Sequence, residues 1–136
     1  MPEPMPRPNA RRVLVVDDET DIREVARVSL EAIGGYEVRT AGGGEEGLLV
    51  ARSGWPEAIL LDVMMPEMTG YQVVAALRAD EATREIPVVL LSATPALAAR
   101  RALEELGVTH RITKPFDPLE LPRLLAEELG WEGKDA

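Results

Sequence analysis

Cysteine is missing from the 136 residues. Disulfides and thiolate zinc sites are therefore excluded, and the absence fits a reducing compartment. No apolar run approaches the ~20 residues that a membrane helix needs. The first residues, with Pro2, Pro4, Pro6 and Pro8 alternating, hold no apolar core and do not read as a signal peptide. Lysine occurs only at Lys114 and Lys134, which makes Lys114 conspicuous. An excess of positive charge is lacking too. The formal net charge is −9, a poor balance for unaided binding to DNA, RNA or an anionic membrane. These absences lead to the expectation of a soluble cytoplasmic protein with no direct nucleic-acid contact and no membrane partner.

Enough apolar material is present for one folded domain. Hydrophobic residues make up 46 %, so the chain should fold rather than stay disordered. Its length suits one domain with a sizeable core. Residues 1–11 read as a disordered, Pro-rich tail, because repeated Pro removes donors and disfavours helix. Residues 12–129 read as the domain and residues 130–136 as a C-terminal tail, in which Trp131 either docks near the last helix or marks a contact.

Five strands alternate with five helices. Strand one is Val13–Val16. Helix one follows the acidic caps Asp17 to Asp21 and carries Ile22, Val25, Ala26, Ser29, Leu30 and Ile33 at helical spacing, with Arg23, Glu24, Arg27 and Glu31 on the other side. Strand two spans about Tyr36 to Ala41, and helix two about Glu45 to Ser53, weakened by Gly47. Strand three is Ala58–Leu61 and helix three about Gly70 to Ala79. Strand four is Pro87–Leu91. Helix four covers about Pro95 to Leu106. Strand five is about Thr109 to Ile112. Helix five starts near Asp117, with Pro118 at its first position, and runs to Leu129. Pro122 implies a kink or a late start there. Continuous apolar strands of this kind are covered on both faces. The expectation is an α/β fold with a parallel sheet and helices on both sides.

Four strand ends carry polar residues among apolar neighbours: Asp17 and Asp18, Asp62, Ser92, and Lys114. A parallel sheet gathers its strand C-termini at one edge, so these can converge. A carboxylate there can act as nucleophile toward a phosphoryl group. A divalent cation on hard oxygen ligands can neutralise the acids and the phosphoryl oxygens, and Mg²⁺ suits that role. A lysine ammonium and a hydroxyl can hold phosphoryl oxygens. Any one of these residues alone reads as a helix cap, a loop serine or a solvated charge; the set together does not.

The segments Val15-Val16-Asp17-Asp18-Glu19, Leu61-Asp62-Val63-Met64-Met65-Pro66 with Gly70, Leu91-Ser92-Ala93, and Thr113-Lys114-Pro115-Phe116 resemble the receiver domain of two-component response regulators over about residues 12 to 129. The resemblance implies a flavodoxin-like, doubly wound sheet of order 2-1-3-4-5. It implies Asp62 as phosphoacceptor, Asp18 as direct metal ligand, Asp17 as holder of metal-bound water and the Met64 backbone carbonyl as a further ligand, with Mg²⁺ or Mn²⁺ as the ion. Ser92 corresponds to the switch hydroxyl and Lys114 to the family's lysine, followed by a cis bond to Pro115. The implied partners are a histidine kinase or histidine phosphotransfer protein, and an unknown output protein or domain, with a homodimer open. Such a protein catalyses only its own phosphorylation and dephosphorylation.

The family usually has Tyr or Phe where this chain has Arg111. The resemblance makes Arg111, together with Arg100 and Arg101 on helix four, a candidate for the output surface of helix four, strand five and helix five. Three other readings stay open. One is the N-terminal receiver of a longer DNA-binding or enzymatic regulator. Another is a binding module that works without phosphorylation. The third is a phosphohydrolase with an Asp-x-Asp pair, disfavoured because Met64 stands in the second place.

Overall fold

The structure, a computed structural model, describes residues 10–93, 101, 104–108 and 110–131. Five strands form one sheet: β1 (Arg12–Val16), β2 (Glu37–Ala41), β3 (Ala58–Asp62), β4 (Val88–Ser92) and β5 (His110–Thr113). All pairings are parallel and the order is β2-β1-β3-β4-β5, as expected. The helices are α1 (Thr20–Ala32), α2 (Gly44–Arg52), α3 (Gly70–Ala79) and a C-terminal helix (Leu121–Leu129).

The continuous apolar strands have two faces, and each holds its own core. On one face α2 and α3 bring Leu48, Ala51, Val73, Val74 and Leu77 against Leu14, Ile59, Leu61 and Leu90. On the other, α1 and the C-terminal helix bring Ala26, Leu30, Leu121 and Leu125 against Val13, Val15, Leu60 and Leu91. Alternate residues of one strand therefore serve opposite layers, the period-2 consequence of the pleat. Gly47, a poor helix former, has a packing reason: a Cβ there would meet Val16 Cγ2 at 2.9 Å, so its absence lets α2 lie close on β1. A capping box starts α3, with Thr69 accepting from the Gln72 N–H and the Gln72 side chain accepting from the Thr69 N–H.

Several boundaries differ from expectation. Strands β3 and β4 include Asp62 and Ser92, because the backbone ladder continues past the last apolar side chain: Asp62 pairs with Leu91, and Ser92 with Thr113. On α1, Val25 and Ile33 are 41 % and 52 % exposed rather than inward. The helix buries only the narrow stripe Ala26, Ser29 and Leu30, where the Ser29 hydroxyl donates to the Pro118 carbonyl. The C-terminal helix begins late, at Leu121, with Pro122 in its first turn. Asp117 is therefore no helix cap. Its carboxylate accepts from the Leu119 N–H and its carbonyl from Glu120 and Leu121, closing a separate turn. The expected fourth helix falls largely outside the described residues, as do Arg100 and Thr109; within it Arg101, Glu104 and Glu105 are helical.

Arg11 and Trp131 lie in the segments expected to flank the domain, and both join it. Gly130 ends the C-terminal helix at φ 73°, a left-handed position where a side chain is disfavoured. The Trp131 N–H then bonds back to the Ala126 carbonyl at 2.8 Å, a Schellman closure. Trp131 thereby packs edge-on to Tyr36, ring centroids 5.8 Å apart, with the Arg11 guanidinium 4.7 Å over its ring. Arg11 also pairs with Glu57. Among the described residues no helix is long and apolar enough to cross a membrane.

Replacing Trp131 with Ala should lower the unfolding free energy by about 3 kcal/mol, the range for losing a large buried aromatic. Urea titration of the two proteins measures this. A loss below about 1 kcal/mol would mean that the ring adds little to the core.

Candidate functional site

Parallel pairing brings the carboxyl ends of β1, β3, β4 and β5 to one edge, and the sequence places a polar residue at each. Asp17 directly follows β1, Asp62 ends β3, Ser92 ends β4 and Lys114 directly follows β5. Asp17, Asp62 and Ser92 are buried, while Asp18 is exposed. The Lys114 ammonium reaches into this edge. Its Nζ lies 3.0 Å from Asp17 Oδ2, 3.3 Å from Asp62 Oδ1 and 3.7 Å from Glu19 Oε1. The Lys114 backbone N–H donates to the Ser92 carbonyl at 3.0 Å, tying the ends of β4 and β5 together. The Lys114–Pro115 peptide is cis.

The carboxylates are held by local backbone as well. Asp17 Oδ1 accepts from the Glu19 N–H at 2.9 Å, and Asp62 Oδ1 from the Met64 N–H at 3.3 Å. The Met64 side chain is 78 % exposed beside the site. Arg23, expected on the solvent side of α1, instead turns back and donates to the Asp17 carbonyl at 2.8 Å. Periodicity alone could not show this, since a long side chain can leave its own face; the signal available was its place one turn beyond the acid pair. An open cleft of about 1080 Å³ leads from Asp18 past Gly43 to Met68 and Gln72.

The electrostatics follow from burial. Asp62 has its pKa pushed up to about 6, by burial first and then by the charge of Asp17, with Lys114 and the Met64 N–H opposing the rise. Burial alone would lower the Lys114 pKa, but contact with Asp17 and Asp62 overcomes it and the ammonium is held above its ordinary value. Asp17, Asp18 and Asp62 each offer an oxygen, all within 4.8 Å of one another. Asp17 Oδ2 is buried and faces Lys114 but has no aligned hydrogen bond. Hard, partly unsatisfied oxygens at this spacing fit a divalent cation such as Mg²⁺.

At the sheet edge β5, His110 and Arg111 meet a residue that the sequence did not flag. Glu128 of the C-terminal helix accepts the Arg111 N–H at 3.1 Å and lies 3.4 Å from His110 Nδ1. Arg111 is half-buried and Arg101 exposed.

Comparison with known proteins agrees with this geometry. The family model of the response regulator receiver domain matches residues 13–126. A probable transcriptional regulator, ycf27 of Pyropia yezoensis, is 43 % identical over 110 residues, covering 81 % of this chain and 44 % of that protein. The phosphate regulon transcriptional regulatory protein PhoB of Escherichia coli is 40 % identical over 112 residues, 82 % of this chain and 48 % of its own length. The chain thus spans less than half the length of these curated relatives. Chemotaxis protein CheY4 of Vibrio cholerae superposes with a TM-score of 0.81 at 33 % identity, covering 88 % of this chain and 98 % of that one.

Ionised Asp62 is unfavourable in the fold, because its folded pKa lies above the ordinary 3.8. Its cost is absent below pH ~4, grows as pH rises, and is complete above pH ~6. Asp62→Asn should therefore stabilise the protein in chelator at pH 7, by on the order of 2 kcal/mol, with the gain vanishing toward pH 4. Thermal unfolding of both proteins across that range measures it. An Asn variant less stable than wild type at pH 7 would contradict this electrostatic account.

Proposed function

Because the chain belongs to the response regulator receiver domain family, we propose that Asp62 accepts a phosphoryl group from a histidine kinase or a histidine phosphotransfer protein. The observation that carries this reading is the Lys114 ammonium lying 3.0 Å from Asp17 and 3.3 Å from Asp62 at a buried sheet edge. One cation is there set against a cluster of acids that only a further positive charge would balance.

In the transfer an Asp62 carboxylate oxygen attacks phosphorus. The P–N bond of the phosphohistidine breaks, the imidazole nitrogen keeps the electron pair, and an acyl phosphate forms on Asp62. Lys114 places its ammonium against the phosphoryl oxygens, and the Ser92 hydroxyl donates to one of them. Asp17, Asp18, Asp62 and the Met64 carbonyl would hold Mg²⁺ or Mn²⁺, which when bound neutralises the carboxylates and the phosphoryl oxygens. Hydrolysis reverses the modification: water attacks phosphorus, the bond to Asp62 breaks, and phosphate leaves. No external metabolite is turned over.

The added charge, about −1.5 to −2 at neutral pH, draws the Ser92 hydroxyl toward Asp62. The face of the expected fourth helix, β5 and the C-terminal helix, with Arg101 on the first and Arg111 on the second, reports this to an output protein or to a second copy. Arg111 meets that partner directly in place of an inward-swinging aromatic ring.

Incubation with a small acyl phosphate and Mg²⁺ should retard wild type on a phosphate-binding gel, and Asp62→Ala should abolish the shift. A shift that persists in Asp62→Ala rejects the assignment. Once a partner is in hand, Arg111→Tyr should change its affinity for the phosphorylated protein at least severalfold, on the order of 1 kcal/mol in binding free energy. Unchanged binding would remove Arg111 from the output surface.

A further inference from the structure

Arg23 stands out among the side chains that the proposed chemistry does not use. It belongs to α1, yet its guanidinium leaves the helix surface and points at the sheet edge. Nη1 donates to the carbonyl of fully buried Asp17 at 2.8 Å, and Nη2 lies 3.5 Å from Thr20 Oγ1. Its own backbone N–H bonds to the Glu19 carbonyl at 3.0 Å. That backbone bond is the ordinary first-turn bond of α1, so it is the guanidinium that ties the helix to the loop carrying Asp17 and Asp18.

A second observation, on another loop, shows that room is left for this grip. A Cβ on Gly42 would lie 3.3 Å from Arg23 Nη1 and 3.8 Å from its Cζ. The guanidinium is therefore lodged between the Asp17 carbonyl and the backbone of Gly42. That backbone is itself fixed, since Gly42 N–H donates to Glu46 Oε1 at 2.8 Å. The Asp17 N–H in turn bonds to the Ala41 carbonyl at 3.1 Å, so the two loops are also joined directly through their backbones beside the guanidinium.

We propose that Arg23 is a positioning residue for divalent-cation binding, a brace between the acidic loop after β1 and the loop after β2 that holds Asp17 and Asp18 in ligating register. The inference rests on the metal site proposed above. It runs against simple electrostatics, in which a nearby guanidinium repels a cation and its removal tightens binding. The brace predicts the opposite sign. Groups that orient metal ligands typically contribute 10- to 100-fold in affinity.

Mg²⁺ titration by calorimetry, with Mn²⁺ binding by electron paramagnetic resonance as a parallel readout, separates the two. Arg23→Lys keeps the charge and loses the planar fork; Arg23→Met loses both. Each should weaken binding about tenfold. Gly42→Ala keeps Arg23 but crowds its guanidinium, and should weaken binding in the same direction. It carries the test if an Arg23 variant does not fold. In phosphorylation by a small acyl phosphate, half-saturation should move to higher Mg²⁺ while the rate at saturating Mg²⁺ stays near wild type. Variants that bind Mg²⁺ as tightly as wild type, or tighter, overturn the brace alone. A wild-type protein that binds no Mg²⁺ overturns the metal site and the brace together.

Discussion

The contact between Lys114 and the buried carboxylates is the constraint around which the site is arranged. Asp17 and Asp62 are withdrawn from water at the ends of adjacent strands, where burial and the charge of Asp17 raise the cost of ionising Asp62. A single ammonium, delivered from beyond β5, lies within 3.3 Å of both. It crosses the strands between, and it does so because Lys114 is anchored through its backbone to Ser92. Strand order matters here. In the order β2-β1-β3-β4-β5 the acids lie at the carboxyl ends of the adjacent strands β1 and β3, and the hydroxyl and the lysine follow on the β4–β5 side.

Lys114 and Arg23 do not balance Asp17, Asp18, Glu19 and Asp62, and that imbalance underlies the proposed function. The site keeps a surplus of negative charge at a buried edge, with Asp18 open to solvent. In the proposed function a divalent cation and a phosphoryl group would together relieve and then rearrange this charge. Several contacts tie the surroundings together: two packed cores hold the strands, a capping box starts α3, and Arg23 donates to the Asp17 carbonyl beside Gly42. The β4–β5 side carries a tie of its own. There Glu128 links the Arg111 backbone to the C-terminal helix.

Much of the fold was legible because apolar continuity and glycine breaks are local signals. The five strands and the parallel sheet follow from them, and so do the positions of Asp17, Asp62, Ser92 and Lys114 at strand ends. The details that differ have separate causes. Val25 and Ile33 obey helical spacing, but α1 meets the sheet along only a narrow stripe, so they remain exposed. Strand ends ran one residue long because ladders depend on backbone partners and not on side-chain polarity. Trp131 joined the core because a left-handed glycine turned the chain back onto Tyr36.

By itself the sequence determined the alternation of strands and helices, the acid pair after one apolar run, the single acid ending another, and the resemblance that these carry. Those properties reside in residue type and short-range order. Only the tertiary structure decided which groups touch: that Lys114 sits between Asp17 and Asp62, that Glu128 reaches Arg111, and that Arg23 turns from the solvent face of its helix to the Asp17 carbonyl. The reason is that such contacts join residues from different elements, and their distances depend on how the layers pack. A helical period fixes the direction of a Cβ, but not where a long, flexible side chain finds its partner.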